Sequence, residues 1–181
     1  MSEKELGDRV AIFGGSFNPP HLGHISVIRW ILDEDLADQV WIVPCYMHPF
    51  EKKLESFEDR KRMCEIAFLQ KNWPVAVLDI EKELGGMSYT VRTIEELLQI
   101  HTDKEFSLVV GSDIENEREK WRGFDTIEKL VDVIVIPRGG EDFNRSISST
   151  SIREKISGGK TYSDLVPPEI EEYIKKHGLY S

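Results

Sequence analysis

The stretch Val10-Ala11-Ile12-Phe13-Gly14-Gly15-Ser16-Phe17-Asn18-Pro19-Pro20-His21-Leu22-Gly23-His24 decides the architecture. Its first four residues are apolar and read as a buried strand. Gly14-Gly15 ends that strand, lets the backbone turn tightly and allows a ligand to come close. Leu22, Ile25, Ile28, Ile31 and Leu32 then keep helical spacing, which predicts a helix running to about Leu36. Strand, glycine turn and helix in immediate succession open a parallel α/β unit.

The same alternation continues outward. Val40–Val43, Val75–Leu78, Phe106–Val110 and Val131–Ile136 read as further strands. Helices are expected over Glu58–Gln70, over Thr90–Ile100 and somewhere between Asn116 and Leu130. A polar loop and two short helices, near Ser151–Ser157 and Pro168–His177, close the chain. Buried strands separated by helices require crossover connections, hence a parallel sheet covered on both faces. The expected fold class is α/β. It is a Rossmann-like, doubly wound sheet of about five parallel strands, with a small C-terminal helical portion over about residues 148–181. No repeat or linker divides residues 1–181, so one domain is expected. In such sheets ligands sit at the carboxyl ends of the strands. That puts Gly14–His24, Pro44–Lys53, Gly111–Asp113 and Pro137–Arg153 on one rim.

The 181 residues carry 23 Lys and Arg against 33 Asp and Glu, a net charge of −10. So acidic a surface is a poor coat for nucleic acid or an anionic membrane, and neither is expected as a partner. Any anionic ligand must meet a local cluster of donors. The apolar fraction of 40% is enough for a real core. Cys45 and Cys64 each sit in an apolar run, as inert core residues do, and two cysteines make no disulfide scaffold. The charged segment Met1–Arg9 lacks the apolar centre of a secretory signal, and no run approaches the roughly 18 apolar residues of a membrane span. A soluble, cytoplasmic protein is expected.

The opening segment also carries chemistry. A helix N-terminus offers unpaired N–H groups and partial positive charge, a seat for phosphate. His21 and His24, three residues apart at that terminus, can face one anion, and Gly23 between them leaves space. No Gly-Lys-Ser/Thr follows, so this is not a P-loop, and the glycine spacing is not the dinucleotide fingerprint. The histidines could instead ligate a metal, but no third ligand converges in sequence. Ser148-Ser149-Thr150 ahead of Ile152-Arg153 reads either as a plain helix cap with surface charge or as a second cluster of anion donors.

Together these two motifs resemble the nucleotidyltransferases with a His-x-Gly-His motif, and more narrowly the bacterial nicotinate (nicotinamide) mononucleotide adenylyltransferases. Gly14–His24 matches the first family motif and Ile147–Arg153 the second. Ser88-Tyr89-Thr90, Val110-Gly111-Ser112-Asp113, Trp121 and the ending Leu165–Tyr180 support the match, which spans nearly the whole chain. The resemblance implies transfer of the adenylyl group of ATP to nicotinate mononucleotide, giving nicotinate adenine dinucleotide and pyrophosphate in NAD biosynthesis. Nicotinamide mononucleotide, or both acceptors, is the alternative.

By the same resemblance His21, His24 and Arg153 are the catalytic residues. Gly14, Gly15, Ser16, Phe17 and Gly23 would bind ATP, as would Gly111, Asp113, Ser148, Ser149 and Thr150. Asn18, Lys52 or Lys53, Tyr89, Thr90, Trp121 and Arg122 would bind the mononucleotide. Magnesium would arrive on the ATP phosphates, with no metal site built from side chains. Two departures stand out. Tyr46–Lys53 replaces the usual Pro-Pro-His-Lys loop, and Arg122 replaces an aromatic after the tryptophan. The competing readings are another acceptor, such as phosphopantetheine or a phosphorylated polyol with CTP, and a nucleotide-binding module without catalysis. The oligomeric state is open, a homo-oligomer included.

Overall fold

The computed structural model describes residues 7–48, 54–69, 72–112, 118, 121–137 and 147–181. Five strands, β1 (Arg9–Gly15), β2 (Gln39–Pro44), β3 (Val75–Val77), β4 (Glu105–Val110) and β5 (Asp132–Val135), form one sheet in the order β3-β2-β1-β4-β5. Every pairing is parallel. The described helices are α1 (Leu22–Asp33), α2 (Phe57–Phe68), α3 (Ile80–Leu84), α4 (Thr90–Ile100), α5 (Phe124–Leu130), α6 (Ser149–Ser157) and α7 (Pro168–His177).

Alternation along the strands builds two cores. Ala11 and Phe13 of β1 join Val40 and Ile42 of β2 on one face, where α1, α2, α6 and α7 pack through Ile28, Met63, Ile152 and Ile170. Val10 and Ile12 join Trp41 and Val43 on the other, covered by α3, α4 and α5 through Ile80, Ile94 and Ile127. Helices therefore cover both faces, as the sequence predicts, and the C-terminal helices share the core of α1 and α2. Strand order reverses between β2 and β4, on either side of β1. The crevice at the carboxyl ends of β1 and β4 is the switch point where such folds bind ligands.

Two elements differ from expectation. The first helix stops at Asp33, because Asp35 takes a left-handed backbone (φ 52°). Helix α3 was not predicted; its five residues bury one side chain, Ile80, too little to show a period. The helix expected between Asn116 and Leu130 is found as α5, Phe124–Leu130. Gly123 precedes it at φ 77°, a conformation that strains any side chain, and an added Cβ would lie 3.2 Å from Val91.

Candidate active site

Strand β1 delivers Gly14 to the rim, where no neighbouring heavy atom among the described residues lies within 4 Å of where its Cβ would be, so a ligand can approach the backbone. The Gly15 carbonyl accepts the Cys45 N–H at 2.8 Å, joining this turn to the end of β2. Ser16 leads into Phe17, which turns inward at a left-handed φ of 45° and is 1% exposed. A non-glycine residue holds such a backbone only when packing enforces it. Here the Phe17 ring meets Phe13 edge-on at 5.6 Å and lies 4.9 Å from the His24 ring.

His21 caps α1, and Gly23 and His24 follow in its first turn. The His21 backbone N–H donates to His24 Nδ1 at 3.1 Å. In the neutral ring this leaves the His24 proton on Nε2, which becomes a donor. The two imidazoles stack with centroids 3.7 Å apart. Burial pushes the His21 pKa down to about 4. Burial, and secondarily the neighbouring His21, hold His24 well below the usual histidine range. Both rings are thus neutral near pH 7. His21 Nδ1 is buried without a partner among the described residues.

That pair makes the ligand-free protein acid-sensitive. The unfolded chain protonates His21 near 6.5, the folded chain only near about 4. Between these values the unfolded state holds more protons, so stability is complete above pH 6.5 and falls as pH drops toward 4. The His21 share is about 3 kcal/mol. Thermal melts of the free protein from pH 8 to 4 should show this loss, and His21→Asn should flatten it. A slope unchanged by that substitution would place the proton uptake elsewhere.

The second motif is stapled to the first. Ser148 caps α6 by accepting the Ser151 N–H at 3.1 Å, so Ser149 and Thr150 lie in its first turn. Ser149 Oγ donates to the Pro19 carbonyl at 2.8 Å. Arg153 donates through Nη1 to the Asn18 carbonyl at 2.7 Å and through Nη2 to Thr150 Oγ1 at 3.3 Å. A guanidinium has five N–H groups, so Arg153 retains donors for an anion. The Leu22 N–H donates to the Leu165 carbonyl at 3.0 Å, a further tie between the ends of the chain. Asn18 is 1% exposed; its Oδ1 accepts from the Glu55 N–H at 3.1 Å and the Tyr180 hydroxyl at 3.0 Å. Both donors fix Oδ1 on their side, and Nδ2 is left buried without a partner among the described residues.

On the β2 side, the Tyr46 N–H donates to Ser88 Oγ at 2.9 Å and to Glu81 Oε2 at 3.0 Å. This holds Ser88-Tyr89-Thr90, the start of α4, against the end of β2. The Arg122 guanidinium carbon sits 4.7 Å from the centre of the Tyr89 ring, bringing the turn before α5 to the same place. Trp121 is half-buried, edge-on to Phe124 at 5.9 Å. Gly111 follows β4 directly, beside the end of β1. Lys52, Lys53 and Asp113 lie outside the described residues. Among the described residues no group of three His, Cys, Asp or Glu could hold a metal ion.

Comparison with known proteins accounts for this arrangement. Residues 12–155 match the cytidylyltransferase-like family. The chain is 37% identical over 179 residues to a protein of Myxococcus xanthus named as a nicotinate-nucleotide adenylyltransferase, covering 95% of this chain and 94% of that one. It is 35% identical over 186 residues to one of the same name from Shouchella clausii, covering 95% and 96%. The chain belongs to the nicotinate-nucleotide adenylyltransferase family. A Vibrio parahaemolyticus structure titled with that enzyme superposes with a TM-score of 0.79 at 25% identity, covering 96% of each chain. A Plasmodium falciparum nicotinic acid mononucleotide adenylyltransferase, solved with NaAD, shares the fold (TM-score 0.78, 22% identity, 96% of this chain and 98% of that one).

In this member of the adenylyltransferase family, three supporting residues escape sequence reading. Arg60 has a sequence signal: with Phe57, Cys64 and Ala67 it occupies the inner face of α2 at helical spacing, where a charge is unexpected. Its Nη1 donates to the Ser16 carbonyl at 2.9 Å. Tyr180 and Glu81 have none, since one follows a helix end and the other sits in the unpredicted α3. Burial raises the Glu81 pKa and the Tyr180 pKa. His101 and His177 make ring contacts elsewhere in the fold. Each packs on an aromatic: His101 edge-on to Trp41 at 4.8 Å, His177 stacked on Tyr173 at 4.2 Å.

Proposed function

We propose that the protein transfers the adenylyl group of ATP to nicotinate mononucleotide, releasing pyrophosphate and forming nicotinate adenine dinucleotide for NAD biosynthesis. The observation that carries this is the stapling of the two phosphate-binding motifs onto one rim, through Arg153 to the Asn18 carbonyl and Ser149 to the Pro19 carbonyl. One domain over residues 1–181 carries both.

Both substrates are anions, so the protein's task is alignment and the absorption of charge. An oxygen of the mononucleotide 5′-phosphate attacks the α-phosphorus of ATP. The new O–P bond forms as the bond to the bridging oxygen of pyrophosphate breaks. The attacking oxygen is already ionised, so no general base or protein nucleophile is needed. His24 Nε2–H and His21 donate to the ATP phosphates at the transferred group. Arg153, with the N-terminal groups at Ser148, Ser149 and Thr150, holds the β- and γ-phosphates as they leave. Gly14, Gly15, Ser16, Phe17, Gly23 and Gly111 are assigned to ATP, as is Asp113 through a ribose hydroxyl. Asn18, Lys52 or Lys53 and the Tyr89-Thr90, Trp121 and Arg122 group receive the mononucleotide, with Arg122 supplying positive charge toward the nicotinate carboxylate.

Neutral imidazoles do not suit a hard, oxygen-seeking cation, so magnesium is assigned to ATP oxygens and water rather than to His21 and His24. Bound there, it would neutralise phosphate charge. No described helix is long and apolar enough to cross a membrane. Cys45 and Cys64 are buried and held as thiols rather than as a disulfide, which supports a reduced, cytoplasmic setting.

Incubating the protein with ATP, magnesium and, separately, nicotinate mononucleotide, nicotinamide mononucleotide or phosphopantetheine tests this. The expected product is a pyridine dinucleotide; a product from phosphopantetheine alone would move the protein to another acceptor. Trp121→Ala should raise the KM for the mononucleotide about tenfold and leave the KM for ATP nearly unchanged, as loss of a stacking aromatic does. Equal effects on both would make Trp121 a packing residue.

A further inference from the structure

Arg60 is a fully buried cation beneath the phosphate loop, 1% exposed. Its Nε donates to the Glu55 carbonyl at 3.0 Å and its Nη1 to the Ser16 carbonyl at 2.9 Å. Its guanidinium carbon lies 5.7 Å from the Phe57 ring centre. No carboxylate among the described residues lies within ion-pair distance of it. The groups facing it are the thiols of Cys45 and Cys64, the Tyr180 hydroxyl and, most weakly, Glu81. Burial lowers its pKa, the reverse of Arg9, whose pKa is raised by the hydrogen bonds it donates to Asp38 and Asp35. An arginine stays protonated under such a shift.

Burying a cation costs several kcal/mol unless an opposite charge meets it. Two backbone carbonyls need only neutral donors, so the brace alone does not explain a charge in a chain of net −10. What lies next to it is the loop from Gly14 to His24, whose open glycine and neutral histidine donors fit a bound anion.

We propose that Arg60 is a positioning residue for the anionic substrates, fixing the Ser16 carbonyl while its uncompensated charge steadies phosphate bound at the loop. It touches no substrate; it acts through the loop and through a field that the dry interior screens poorly. The inference rests on the reading of that loop as a phosphate seat, and the experiment separates the two.

Arg60→Lys keeps the charge, Arg60→Gln keeps a neutral donor, and Arg60→Met keeps only the bulk. For each, pyrophosphate affinity by calorimetry, transfer kcat/KM and Tm are measured. Arg60→Lys should stay within about fivefold of wild type, whereas Arg60→Gln and Arg60→Met should each lose about 10- to 100-fold in both pyrophosphate affinity and kcat/KM. If Arg60→Gln binds pyrophosphate as well as Arg60→Lys, or if the losses follow Tm across the series, the proposal is overturned.

A measurement on the unaltered protein needs no variant to fold. The Arg60 Nε–H resonance should move when pyrophosphate is added; binding without movement overturns the proposal. If the unaltered protein does not bind pyrophosphate at all, the reading of the loop falls and takes this inference with it. If it binds but ignores the charge at position 60, only this inference falls.

Discussion

His24→Ala lowers kcat by about 10²- to 10³-fold, the usual consequence of removing one oriented donor from a charged transition state. The geometry says why this histidine is irreplaceable. Its Nδ1 is committed to the His21 N–H, its ring is wedged against Phe17, and burial keeps it neutral. Only Nε2–H remains to be aimed, and no rotation is available to aim it elsewhere. Two further substitutions separate the donor from the scaffold. Asparagine can accept the His21 N–H from near the Nδ1 position yet lacks the Nε2 donor, so His24→Asn should remain folded and nearly as slow as His24→Ala. Glutamine can place an N–H near Nε2 and should recover part of the rate. Steady-state kcat with saturating ATP and mononucleotide, alongside Tm, decides; near-wild-type turnover in His24→Asn would remove the donor role.

Arg153→Ala should cost as much, for two reasons that different measurements resolve. The substitution removes a fork suited to the departing pyrophosphate, which predicts a fall of about 10²- to 10³-fold in kcat/KM. It also removes the 2.7 Å bond to the Asn18 carbonyl, which joins α6 to the phosphate loop. A charge-assisted bond of this kind contributes about 1–3 kcal/mol, visible as a lower denaturation midpoint. Arg153→Lys retains the charge but cannot serve Asn18, Thr150 and a phosphate together. It should recover more binding of ATP than rate. A loss of stability with full kcat/KM would leave Arg153 as a staple only.

The sheet was legible because buried parallel strands are short apolar runs between amphipathic helices, and each run in this chain ends at glycine, proline or charge. Val10–Phe13 and Phe106–Val110 needed nothing beyond that pattern. The five-residue α3 escaped because a single buried Ile80 makes no period, and the start of α5 is set by the backbone of Gly123 rather than by hydrophobic spacing. The two motifs proposed to bind phosphate were legible because each is contiguous: Gly14–His24 and Ser148–Arg153 are unbroken segments. The parts assembled from distant positions were not. Arg60 reaches Ser16 across 44 positions and Tyr180 reaches Asn18 across 162, and no local spacing records either contact. Arg122 falls between these cases. Its departure from the family pattern was visible in sequence, while its seat over Tyr89 required the fold.

The most direct test of the account is pyrophosphate release with ATP and magnesium, comparing nicotinate and nicotinamide mononucleotides by kcat/KM. The account predicts release that requires an acceptor and favours nicotinate mononucleotide by about tenfold or more, the discrimination expected where a charge meets the carboxylate. Preference for the amide, or no release with either mononucleotide, would contradict it.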